Sequence, residues 1–223
     1  MIGIIGGAGP LASALLYQLI VEEYYLRQKQ GETRPLPEML FFNHTFPRGL
    51  TLEESDHNKK RLENELEIGI QQLRQAGAST ICIACNTLHS FLTSTQEKSL
   101  LHLPQAVIAS LREKGLRRVG ILSTETTRNS TLYRDKKILL EYPSKEDQSI
   151  LNPILDRILE GVILREDSIC LSQMIQKMRE TQNIEGIILG CTDLSVLNHR
   201  YPLHTKEVLL FDSIKILATN ILL

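Results

Sequence analysis

The sequence predicts an α/β protein of two pseudo-symmetric lobes, each a parallel sheet flanked by helices, with an active site in the cleft between them. Two observations predict it. Short apolar runs alternate with longer stretches of helical periodicity along the 223 residues, the pattern of parallel strands joined by crossover helices. The chain also repeats itself: Ile2-Gly3-Ile4-Ile5-Gly6 is similar to Val119-Gly120-Ile121-Leu122-Ser123, offset by 117 residues. Likewise Thr80-Ile81-Cys82-Ile83-Ala84-Cys85-Asn86-Thr87 is similar to Gly186-Ile187-Ile188-Leu189-Gly190-Cys191-Thr192, with the cysteines 106 residues apart. Sites in such folds form beyond the carboxyl ends of strands, so each repeat would bring one thiol, Cys85 or Cys191, to the shared cleft.

The elements follow in order. Ile2–Ile5 reads as a buried strand, and Leu11–Leu26 as a helix, with Leu11, Leu15, Leu16, Leu19 and Ile20 at helical spacing. Residues 31–37 are turn-rich, Met39–Phe42 is a second strand, and Asn43–Gly49 a loop. Glu53–Gln75 is a long amphipathic helix ended by Gly77. Thr80–Ala84 is a strand, Leu88–Leu101 a helix and Val107–Lys114 a short helix. Arg118–Leu122 is a strand, a helix begins at Thr126 and runs to Tyr133, and Ile138–Tyr142 is a strand before a Pro143–Gln148 loop. Helices over Ile150–Leu159 and Asp167–Thr181, strands over Gly186–Leu189 and Val208–Phe211, and a helix over Ser213–Leu223 complete the chain. The lobes expected from the repeat are residues 1–103 with 212–223, and residues 104–211.

Composition narrows the function classes. There are 25 Lys+Arg against 26 Asp+Glu, a net charge of −1. That balance argues against a partner such as nucleic acid, whose binders carry a basic excess. At 42% hydrophobic and 23% charged residues the chain is globular. No apolar run approaches the roughly 18 residues that span a bilayer, and the opening residues carry no charged segment before an apolar one, so a cytoplasmic protein is expected. Four cysteines are too few for a disulfide framework and should be reduced thiols.

Cys85 and Cys191 are the leading candidates for chemistry. Each sits where a strand gives way to a turn that opens a helix, where backbone N–H groups favour anions and should lower a thiol's pKa. Two such groups on opposite sides of a planar carbanion could take a proton from one face and return one to the other. The plainer reading is a pair of small buried hydrophobes; the polar neighbours Asn86-Thr87 and Thr192-Asp193 weigh against it. Cys82 and Cys85 form C-x-x-C, yet strand alternation points them to opposite faces, and zinc would need further ligands, with His89 the only local candidate. Cys82 and Cys170 are read as core. Gly7-Ala8-Gly9-Pro10-Leu11-Ala12 fits G-x-G-x-x-A after a strand, but the acidic residue that should follow the next strand is Asn43-His44 here. The segment is read as an anion-friendly turn that opens a helix. Arg48 suits carboxylate recognition by a guanidinium fork, against the alternative of a solvated surface arginine.

Three blocks together, Ile4-Ile5-Gly6-Gly7-Ala8-Gly9-Pro10, Cys85-Asn86-Thr87-Leu88-His89 and Leu189-Gly190-Cys191-Thr192-Asp193-Leu194, resemble the aspartate/glutamate racemase family, in its aspartate racemase and broad-specificity amino-acid racemase branch. A fourth, Ile121-Leu122-Ser123-Thr124 with Thr127 and Tyr133, is similar to the block that opens the family's second lobe, and Phe211-Asp212-Ser213 to its closing block. The resemblance implies a cofactor-independent racemase acting on an amino acid or dicarboxylate between the lobes, with no metal. It implies Cys85 and Cys191 as the acid/base pair. It implies Ala8, Asn86, Thr87, Thr124 and Thr192 around the substrate's amino and carboxylate groups, and Arg48 at a distal carboxylate. A homodimer follows by analogy alone.

The departures bear on substrate. Ala8 stands where the family often has Met, Pro47-Arg48-Gly49 lacks the family's Asp, and Leu159-Glu160 replaces the lysine that precedes the glycine resembling Gly161 in strict aspartate racemases. The Asp-Ser-Gly turn and the second-block His of the peptidoglycan-type glutamate racemases are absent. Alternatives are a related enzyme using one or both cysteines (hydantoin racemase, maleate-type isomerase or decarboxylase), an inactive small-ligand-binding protein of this fold, and a nicotinamide-binding dehydrogenase.

Overall fold

The computed structural model describes residues 1–31, 33–46, 56–93, 96 and 100–223. Their strands form two parallel sheets. In the first, β1 (Ile2–Gly6) lies between β2 (Met39–Asn43) and β3 (Thr80–Ile83). In the second, the order is β5 (Leu139–Glu141), β4 (Arg118–Leu122), β6 (Gly186–Leu189) and β7 (Leu209–Asp212). The repeat seen in the sequence is kept in register: Gly3 pairs with Ile81 in the first sheet and Gly120 with Ile187 in the second. Even the fourth place is matched, because Leu101 makes a parallel bridge to Cys82 where the second sheet has β7 beside β6.

The crossovers are α1 (Pro10–Lys29), α2 (Asp56–Gln75), a 3-10 turn (Thr87–Phe91), α3 (Leu103–Glu113), α4 (Glu125–Asn129), α5 (Lys145–Leu159), α6 (Arg165–Gln182), α7 (Thr192–Arg200) and α8 (Ser213–Ile221). Alternation along the strands divides the core. Ile5, Ile81 and Ile83 meet the Leu62, Leu66, Ile70 and Leu73 stripe of α2, while Ile4 and Cys82 point the other way, into a larger core shared with the second sheet. A fully buried aliphatic side chain contributes about 1.5–3 kcal/mol, so truncating Leu66 at the centre of the α2 stripe should cost about 2–5 kcal/mol. The closing helix α8 lies against both α1 and α3.

Several expectations need correction. The helix expected over Leu88–Leu101 is not continuous in its described part: a 3-10 turn ends at Phe91, Leu92 is extended, Gln96 is helical, and Leu101 has joined the sheet edge. The Pro143–Gln148 loop is the start of α5, because Ser144 caps it by accepting from the Asp147 N–H. The helix begun near Thr126 ends at Asn129, and α7 directly follows Cys191. Cys170 is half-buried at the edge of the core. Among the described residues no helix is long and apolar enough to cross a membrane.

Candidate active site

The carboxyl end of β1 runs into a turn that only glycine can make. Gly7 has φ +103°, and a Cβ there would lie 2.0 Å from the His44 carbonyl oxygen. Ser13 holds the turn from inside α1, accepting from the Gly7 N–H and donating to the Gly9 carbonyl. Ala8 projects from this turn against the smaller core. Arg48 lies outside the described residues.

Cys85 follows the end of β3, where Ala84 N–H still bonds the Ile5 carbonyl. The chain then tightens into the 3-10 turn, and the backbone N–H groups of Leu88 and Thr87 and the Thr87 hydroxyl all reach the sulfur and favour its charged form. Burial outweighs them: the thiol is pushed up from 9.0 to about 12. The lowered pKa expected from the sequence is therefore not what the fold produces. The donors are where the turn predicts, but they are overridden by desolvation. His89 braces the same turn. Its Nδ1 lies 2.7 Å from the Cys85 carbonyl oxygen and its Nε2 accepts from the Leu103 N–H at 3.4 Å, which makes Nδ1 the protonated nitrogen. Burial and the neighbouring His102 hold this imidazole near pKa 3, so it stays neutral.

Cys191 is the N-cap residue of α7 and is buried. Its thiol is raised too, by burial first, then by the Asp193 carboxylate and also by Cys85. The two strand ends meet where Thr192, next to Cys191, reaches the carbonyl of Ala84, next to Cys85. Cys191 Sγ donates to Asp193 Oδ2 at 3.6 Å. Burial lifts Asp193 from 3.8 to about 6, and its other oxygen, Oδ1, is buried with no hydrogen-bond partner, facing Gly9. The environments differ: Cys85 is ringed by donors, whereas Cys191 has one backbone donor and a carboxylate.

Hydroxyls and amides close the space around the thiols. Thr87, Thr124 and Thr127 form a triangle of Oγ1 atoms at 3.2 Å, and Thr124 caps α4 by accepting from the Thr127 N–H. Thr192 Oγ1 reaches the Ala84 carbonyl at 3.5 Å. Tyr133 donates to Asn86 Oδ1 at 2.6 Å, and Asn86 Nδ2 donates to Ser213 Oγ at 3.1 Å. Of the residues singled out in the sequence, the structure therefore gathers Cys85, Asn86, Thr87, Thr124, Cys191 and Thr192 at the facing strand ends.

The sequence profile of one family, described as Asp/Glu/hydantoin racemase, matches residues 5–221. The chain belongs to this family. A glutamate racemase from Leptospira borgpetersenii serovar Hardjo-bovis is 23% identical over 172 residues, a stretch covering 72% of this chain and 64%, just under two thirds, of that protein. Among solved structures, an aspartate racemase homologue from Pyrococcus horikoshii OT3 is 26% identical with a TM-score of 0.72, covering 99% of this chain and 96% of that one. An aspartate racemase from Picrophilus torridus is 23% identical with a TM-score of 0.70, covering 97% and 90%. The fold, two parallel sheets flanked by helices, is that of these family members.

Sequence reasoning placed Asp193 beside Cys191, and Thr127, Tyr133 and Ser213 in blocks similar to the family's, but gave none of them a role among the candidate site residues. Asp193 carried a signal, being a carboxylate two residues after a strand-end cysteine. The contacts of Tyr133 and Ser213 to Asn86 carried none, because they span 47 and 127 residues.

Proposed function

We propose that the protein is a cofactor-independent amino-acid racemase that interconverts L and D forms by proton transfer between Cys85 and Cys191. The carrying observation is the pairing itself. Two thiols stand at equivalent ends of matching strands in the two sheets, which are joined there by the Thr192–Ala84 and Thr87–Thr124 contacts, and hydroxyl, amide and carboxylate groups surround them. In one direction the Cys85 thiolate takes the α-proton and becomes a thiol. The electron pair left on the α-carbon takes a proton from the Cys191 thiol on the opposite face, leaving a thiolate there. The reverse direction exchanges the roles. The donor ring around Cys85 makes it the better-stabilised thiolate before substrate binds, with Cys191 kept as the acid by its bond to Asp193.

With no cofactor to delocalise the carbanion, the carboxylate must carry developing charge. The Asn86 amide and the Thr87 and Thr124 hydroxyls supply donors for it, and Thr192 lines the same end of the site. Asp193 Oδ1, buried and unpartnered, supplies the counter-charge for the substrate ammonium. Ala8 forms a wall of the pocket and Arg48 meets a distal carboxylate. The substrate-binding lobes are residues 1–103 with 212–223, and 104–211.

The test is a panel of L- and D-amino acids, including both enantiomers of aspartate and glutamate, incubated in deuterated water with protein free of pyridoxal phosphate. The expected result is α-deuteration coupled to inversion, abolished in Cys85→Ser and in Cys191→Ser. Full activity in both variants would overturn the proposal.

A further inference from the structure

We propose that Tyr133 and Ser213 are positioning residues that lock the Asn86 side-chain amide so that it offers the substrate an N–H and not its oxygen. This rests on the racemase reading above. An amide is nearly symmetric in shape, so only its partners decide which end faces which way. Here the two bond lengths decide it. The 2.6 Å contact to Tyr133 has the length of an O–H···O bond and the 3.1 Å contact to Ser213 that of an N–H···O bond. The phenol stays protonated, because burial and the charges of Cys191, Tyr142 and Cys85 all oppose the phenolate. It is therefore a donor to Asn86, and the amide oxygen is committed to it. One Nδ2 hydrogen is committed to Ser213, and the second is left over.

The clamp is assembled from three distant places. Asn86 adjoins Cys85 beyond β3, Tyr133 follows α4 in the other half of the repeat, and Ser213 opens α8. All three are essentially closed to solvent, at 1%, 2% and 0% exposure, so a broken bond here has no water to replace it. Tyr133 also lies close enough to feel charge on both sulfurs. The clamp therefore sits beside the reacting centre. An unclamped Asn86 could rotate and accept from an ammonium. A clamped one reads the carboxylate and leaves the ammonium to Asp193, which orients the α-carbon of either enantiomer between the two thiols.

The experiment uses the full chain with Tyr133→Phe, Ser213→Ala and the double variant. Each single variant should raise KM for the preferred amino acid about tenfold while kcat changes less than about threefold. The double variant should be no worse than about tenfold, because both act on one amide. Wild-type KM in both variants, or fully additive effects, would overturn the clamp. A second arm needs no activity. In 15N-labelled protein the Asn86 side-chain protons should exchange with solvent at least 100-fold more slowly than exposed asparagines, and lose that protection in Ser213→Ala. Exchange as fast as at an exposed asparagine in the wild type would sink the inference even if racemisation is confirmed. Protection without any α-proton exchange would keep the clamp and remove the racemase reading.

Discussion

Replacing Asp193 with asparagine separates stability from function at one atom. The folded chain lifts this carboxyl from 3.8 to about 6, chiefly by burying it. At about 1.4 kcal/mol for each tenfold change in proton affinity, ionised Asp193 destabilises the fold by about 3 kcal/mol. The folded state binds the proton more tightly than the unfolded state. The carboxyl is therefore without cost below about pH 4, and stability is lost as pH rises to about 6. Asp193→Asn has the same shape and no charge to desolvate. It should be more stable than the wild type by about 3 kcal/mol at pH 8 and by little at pH 4, as read by urea denaturation across that range. The same substitution removes the negative charge that opposes thiolate formation at Cys85 and Cys191. Both should then react faster with iodoacetamide, while KM for the amino acid rises as the ammonium loses its partner. A stability difference that does not change between pH 4 and pH 8, or a variant less stable than the wild type at pH 8, would refute the reasoning.

Three further outcomes follow from the geometry. With its thiol held at about 12, Cys85 in the unliganded protein should be alkylated at pH 8 about a thousandfold more slowly than a free cysteine, with a rate still climbing at pH 10; mass spectrometry of the labelled peptide reads this. Gly7→Ala should cost about 3 kcal/mol or more in urea denaturation, while Gly31→Ala, also at positive φ but with nothing within 4 Å of the new Cβ, should cost about 1 kcal/mol. Equal losses would show that the His44 carbonyl is not what demands glycine at the turn. His89, held neutral near pKa 3, gives up stability as pH falls below about 6.5, where the unfolded imidazole takes a proton that the buried one refuses. His89→Asn, which keeps a donor for the Cys85 carbonyl, should lose less stability than the wild type between pH 6.5 and pH 4.

The parts of this molecule legible in its sequence are those set by short-range pattern. The strands ending at Cys85 and Cys191 were visible because a buried parallel strand is a continuous apolar run. Their equivalence was visible because Gly3 and Gly120 precede matching turns, and the structure keeps both in the same register with Ile81 and Ile187. Alternation also placed Cys82 and Cys85 on opposite faces. What failed were properties decided by three-dimensional surroundings. Leu88–Leu101 has apolar residues at helical spacing, yet Leu92 turns extended after the 3-10 segment and Leu101 pairs with Cys82, because a sheet edge was available. The pKa direction of both thiols was misread because the local signal, a helix or turn opening, is real but smaller than the desolvation that the two packed sheets impose. The Tyr133–Asn86–Ser213 chain was invisible for the same reason as any contact made across the whole length of a protein.

That misreading points to how the substrate completes the site. Empty, the site is poor at making the thiolate that the proposed α-proton removal requires: both sulfurs are desolvated, the Asp193 carboxylate opposes ionisation of either, and a charge on Cys85 opposes ionisation of Cys191. On the proposed racemase reading, a bound zwitterion changes each of these conditions. Its ammonium against Asp193 Oδ1 cancels the charge that most directly opposes Cys191 ionisation and gives a partner to that buried, unpartnered oxygen. Its carboxylate takes the Thr and Asn donors. A dicarboxylate without an amino group would bring only further negative charge. Under the proposed racemase reading, the substrate's own ammonium is thus part of the catalytic electrostatics. The thiols should become reactive only when an α-ammonium is bound: a saturating amino acid should lower the apparent pKa for alkylation of whichever cysteine it leaves accessible, and a matched deamino acid should not. Equal effects of the two ligands would show that closure of the pocket, and not charge, controls the thiols.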